Sequence, residues 1–111
     1  MNINEKGNIV YELLELLKAN KISNTSKKKI YIMVNNMNNR TDNQKKKFCM
    51  FYNLLEKEKQ NYRLCDMARY YNCTSSNIRS SIGRIRNSLV NTNEENILIM
   101  KNILKEYHDK N

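Results

Sequence analysis

Proline is absent from this chain and glycine occurs only twice, at Gly7 and Gly83. Those two residue types break helices, close tight turns and kink the strands of sandwiches and barrels. A chain of 111 residues that almost lacks them, yet is 40% hydrophobic, is expected to fold as a single compact all-α domain with short polar connections. It needs no disulfide to do so.

The apolar spacing divides the chain into six expected helices. The N-terminal one runs from about 8 to 19, with Ile9, Leu13, Leu16 and Leu17 on one face and Val10 and Leu14 widening it. Ile30, Met33, Val34 and Met37 keep helical spacing, although IYIMV is equally readable as a buried strand. Thr41 and Gln44 form a capping box that opens a helix with Phe48, Phe51, Tyr52 and Leu55 inward. A short helix from Asn61 or Tyr62 turns Leu64, Met67, Ala68 and Tyr71 inward. It ends at Asn72, a residue that accepts a left-handed backbone better than most. Thr74 is placed to cap the next helix, Ser75 to about Val90. Thr92-Asn93-Glu94-Glu95 has the form of a second capping box, opening a last helix at about 94–108. If IYIMV or ILIM is a strand instead, a small β-wing joins the helices.

The net charge is +9, and it is uneven. Residues 18–47 carry +8 and residues 57–86 carry +5, whereas the first seventeen sum to −2 and the last twenty-five to −1. Such a basic middle points to a polyanionic partner. No apolar run nears the ~20 residues of a membrane span, and the start MNINEKGN lacks a secretion signal's apolar core. With three cysteines and no CxxC pair, the expected compartment is the reducing cytoplasm. Asparagine occurs twenty times, which fits the codon usage of an A/T-rich genome and makes it a poor marker of function.

The segment CTSSNIRSSIGRIRNSLV is the most informative. At the helical turn of about 100° per residue, Ile78, Ile82, Ile85 and Leu89 share an arc of roughly 60°. Opposite them stand Ser76, Asn77, Ser80, Gly83, Arg84 and Asn87, flanked by Arg79 and Arg86. An ordinary solvated helix face alternates acids with bases, because ion pairs one turn apart support it. This face has no acid. Short hydrogen-bonding side chains with arginine suit base edges and phosphates in a major groove. The glycine costs about 1 kcal/mol relative to alanine. Either close approach of a ligand backbone or crowding against another helix accounts for it.

LCDMARYYNCTSSNIRSSIGRIRNSL resembles the helix-turn-helix of sigma-factor region 4, especially the extracytoplasmic-function type. Ala68, Asn72, Cys73 and Thr74 match the small contact residue, the turn, the apolar residue and the cap of that motif. Ile78, Arg79, Ser80, Ile82, Arg84, Arg86 and Leu89 match its second helix. Response-regulator DNA-binding domains are similar but fit less closely. The likeness is strong from about 62 to 90 and extends weakly upstream through NQKKKFCMFYNLLEKEKQ. It implies a helix-turn-helix that binds double-stranded DNA, with RNA polymerase as a further partner. A complete sigma factor is not expected, because 111 residues are too few to carry the region that melts the promoter as well.

The expected base readers are Arg84, Ser80, Ser76 and Asn77, with Asn87 on the same face. Arg79, Arg86 and Thr74, together with Lys27, Lys28, Lys29, Lys45, Lys46 and Lys47, are expected to hold the DNA backbone. Tyr31, Tyr52, Tyr62, Tyr70 and Tyr71 fit core or interface positions better than base stacking. Cys49, Cys65 and Cys73 have no ligand spacing with the lone His108 and are expected as small core residues, with no metal or cofactor. Glu12, Glu15, Glu56, Glu58, Glu94 and Glu95 read as helix-surface acids rather than catalytic ones, and no enzyme is expected. The last helix carries Ile97, Leu98, Ile99, Met100, Ile103, Leu104 and Tyr107, broad enough to suggest a homodimer contact or burial against the first helix. The leading expectation is a transcriptional regulator. An accessory protein of plasmid or phage replication, partition or conjugative transfer uses the same chemistry. An adaptor that binds RNA polymerase and an RNA binder are the alternatives of other classes.

Overall fold

The computed structural model describes residues 1–54 and 61–111. They form α1 (Ile3–Lys18), α2 (Asn24–Asn35), α3 (Asp42–Phe51), α4 (Leu64–Tyr70), α5 (Ser75–Val90) and α6 (Glu94–Lys110), with no strand among them. The all-α class is as expected. Residues 30–34 and 97–100, which left a β-wing open, lie inside α2 and α6. In α2 the buried residues Ile30, Met33 and Val34 follow a helical spacing, while the intervening Ile32 faces outward. Leu55, Glu56 and Glu58 lie outside the described residues.

Five of the helices described start at a side-chain cap, whereas α4, preceded by Arg63, has none. Asn2 accepts from the Glu5 backbone N–H at 2.9 Å, so α1 begins five residues before the expected position 8. The Thr41–Gln44 capping box is present in both directions. Thr74 Oγ1 accepts from Asn77 N–H at 3.1 Å. On α6 the cap is Asn93, accepting from Asn96 N–H at 2.8 Å, rather than Thr92. Thr92 instead accepts from the Asn96 side chain at 2.8 Å. Asparagine caps at least as well as threonine, and the shift of one residue keeps Ile97 inward.

The helix ends replace glycine with asparagine. Asn20, Asn53 and Asn72 have φ of 57°, 59° and 53°. Each closes the same motif after α1, α3 and α4. The next N–H reaches back to the carbonyl five residues earlier: Lys21 to Leu16, Leu54 to Cys49 and Cys73 to Ala68, all at 2.9 Å. A left-handed backbone costs most residues about 1–2 kcal/mol, and asparagine is among the few that adopt it routinely.

Helix α5 is central and packs on α3, α4 and α1; α6 lies against α1 and α2. Phe48, Leu13, Leu17, Met67, Ile78, Ile85, Leu89 and Met100 are fully enclosed where these helices meet. Truncating such a side chain, Phe48→Ala for example, costs about 3–5 kcal/mol. An ion pair, Lys6 to Glu94 at 3.2 Å, and a polar contact between His108 Nε2 and Glu12 Oε1 at 2.8 Å fasten α1 to α6. Lys18 pins a third junction, donating to the Phe51 carbonyl at 3.2 Å and the Tyr62 carbonyl at 2.6 Å. Its ammonium lies 3.8 Å from the Phe51 ring centroid, and burial lowers its pKa. The ammonium thus bridges the last residue of α3 and a carbonyl two residues before α4.

Candidate nucleic-acid interface

Helices α4 and α5 pack against each other, and Met67 and Ala68 of α4 and Ile78 and Ile82 of α5 are buried. The Asn72 reversal lets α5 begin three residues later at Ser75. The α5 core stripe is Ile78, Ile82, Ile85 and Leu89, and Ser81 is also buried. Its other side is open. Ser76, Asn77, Arg79, Ser80, Arg84, Arg86 and Asn87 are all exposed, and Gly83 is half-buried among them. Arg79 and Arg84 have no ion-pair or hydrogen-bond partner among the described residues. Two cations therefore stand free beside short polar groups, with no acid on the helix.

Gly83 resolves one ambiguity. A Cβ built there meets only the Arg86 Nη2 atom, at 3.6 Å, which is ordinary contact. No other helix crowds the position. The glycine is unexplained by packing among the described residues.

The lysine clusters divide. Lys28, Lys29 and Lys46 are exposed. Lys27, Lys45 and Lys47 are buried, so neither cluster offers three free charges. Lys27 donates to the Asn20 side chain and Lys45 to the Asn35 carbonyl at 3.0 Å. Lys47 donates to Asn77 Oδ1 at 2.7 Å and lies over the Tyr71 ring. Three consecutive lysines on a helix span about 200°, too wide an arc for all three to point the same way. Long lysine stems pack against neighbouring helices while the ammonium finds a carbonyl.

Other expected core residues also turn outward. Tyr70 is 72% exposed, because neighbours on a helix point about 100° apart and Tyr71 takes the inward position. Cys65 is exposed and Cys73 half-buried; Cys49 alone is enclosed, and burial raises its thiol pKa to about 12. The described residues hold no cluster of potential metal ligands. On α6, Ile97, Met100, Ile103 and Leu104 are buried within the chain, Ile99 and Tyr107 are half-buried, and Leu98 is 56% exposed. Helices α1 and α2 pack against α6. No helix among the described residues is long and apolar enough to cross a membrane.

The sequence reading overlooked Arg40, whose Nε donates to Ser88 Oγ at 2.8 Å and ties the α2–α3 connection to α5. Its position just before the Thr41 cap is the only local signal it had. Arg63 and Arg69, exposed on or beside α4, were also missed. Comparison with protein-family models, curated proteins and solved structures finds no match. The reading of this surface rests on its own residues.

Proposed function

We propose that this protein binds double-stranded DNA, with the open side of α5 in the major groove, and acts as a sequence-specific transcriptional regulator. The observation that carries this reading is the exposed, acid-free side of α5, which includes a glycine that internal packing does not require. Arg84, Ser80, Ser76, Asn77 and Asn87 are the base-reading set. Arg79, Arg86, Lys28, Lys29 and Lys46 supply phosphate contacts. Thr74 contributes through the helix start that it caps. The groove of A-form RNA is too narrow for such a helix, which favours DNA.

Selection of bound sites from random duplexes tests the proposal and reports half-site symmetry, hence whether two copies bind together. Arg84→Ala is expected to lose about 1–3 kcal/mol on the selected site and to relax one base pair. Lys46→Ala is expected to weaken selected and random duplexes alike. Equal losses on both duplexes in both variants contradict the assignment. The same DNA chemistry serves an accessory role in plasmid or phage DNA processing. If the protein is instead an RNA polymerase adaptor, it stays bound to polymerase after nuclease treatment.

A further inference from the structure

Lys47 is a cation in an unusual position. It is 5% exposed, and no carboxylate among the described residues pairs with it. Lysines near a surface ordinarily extend the ammonium into water. This one turns to Asn77 Oδ1 at 2.7 Å, with the Tyr71 ring centroid 5.4 Å away. Those are its only partners among the described residues. An ammonium has donors and no acceptor, so the Asn77 amide must turn its oxygen toward α3. The Asn77 side-chain nitrogen has no hydrogen-bond partner among the described residues, and Asn77 as a residue is exposed.

We infer that Lys47 is a positioning residue that makes Asn77 a hydrogen-bond donor to the DNA, so that Asn77 reads guanine rather than adenine. This rests on the proposed groove binding by α5. Asparagine recognises adenine by presenting oxygen and nitrogen side by side, the oxygen accepting from N6 and the nitrogen donating to N7. With the oxygen drawn back to Lys47, that paired arrangement is lost. Guanine offers two neighbouring acceptors, N7 and O6, and suits a donating amide nitrogen. Asn77 is also held at its backbone by Thr74, so the side chain has few ways to compensate.

The experiment is site selection from random duplexes with the parent protein, Asn77→Ala and Lys47→Met. Methionine keeps the apolar stem and removes the donor. Asn77→Ala identifies the base pair, as the one whose preference it erases. At that pair the parent is expected to prefer guanine, and Lys47→Met to reduce the guanine-to-adenine ratio at least about fivefold, the low end of one base contact. Thermal melting checks that the variant is folded. Should it fail to fold, the parent's own preference still decides. Adenine at that pair overturns the inference, as does an unchanged ratio in a folded Lys47→Met. A parent that selects no sequence removes the groove reading as well, so the two failures are distinct.

Discussion

Replacing Gly83 with alanine should change stability and DNA binding in opposite directions. The position is helical, its φ is negative, and the added methyl meets nothing closer than the flexible end of Arg86 at 3.6 Å. The folded chain therefore gains the full helix-propensity difference, about 1 kcal/mol. Unfolding entropy of roughly 2.1 cal/mol/K per residue over 111 residues converts this to a rise in Tm of ~4 °C. On the DNA side, the methyl stands at the edge of the open face, beside Ser80 and Arg84. Forcing a methyl into a fitted contact costs about 1–3 kcal/mol, so affinity for the selected site should fall at least about fivefold. Differential scanning calorimetry and fluorescence anisotropy on a labelled duplex read the two quantities. A variant that melts higher and binds as tightly as the parent removes the glycine from the argument. One that melts lower shows packing around Gly83 that the structure does not contain.

Substituting Lys28, Lys29 or Lys46 by alanine should lower the slope of log affinity against log salt by about 0.9 per contact and leave Tm alone. Lys45→Met should leave that slope unchanged but destabilise the fold by about 1–2 kcal/mol, because the Asn35 carbonyl loses its donor. Asn53 occupies a left-handed position with its amide 2% exposed and without a hydrogen-bond partner among the described residues. Asn53→Gly should therefore stabilise by about 1 kcal/mol in urea titration, and a loss of stability would count against the unsatisfied amide. Burial holds the Cys49 thiol neutral up to about pH 12, whereas the unfolded chain ionises it near 9.0. Its contribution is complete below pH 9 and is lost as pH rises toward 12, so Cys49→Ala should flatten that alkaline decline.

The helices were legible because their signals are local. Thr41 with Gln44, Thr74 and Asn72 act within a few residues of themselves, and each does in the structure what its residue type allows. The α5 wheel was legible for the same reason, since one face of a regular helix needs only a period. What was hidden depends on neighbours distant in sequence. Lys47 lies in a run that reads as uniformly cationic, and only the approach of α5 reveals the Asn77 acceptor thirty residues on. Tyr70 and Tyr71 are alike in type, and the packing of α4 against α5 decides which of them turns inward. The breadth of α6 fits an external partner as well as an internal one, and its packing against α1 and α2 has no local signal. The asparagines divide in the same way: as a class they reflect composition, yet three of them make the turns that glycine would otherwise make.

The central claim is that the exposed side of α5 is the surface that enters the duplex. Titrating 15N-labelled protein with a selected duplex and following backbone amide shifts tests this most directly. The largest changes should fall at Ser76, Asn77, Ser80, Gly83, Arg84 and Asn87, with α6 nearly unmoved. Shifts concentrated on α1 and α6 with the α5 face silent would contradict the claim.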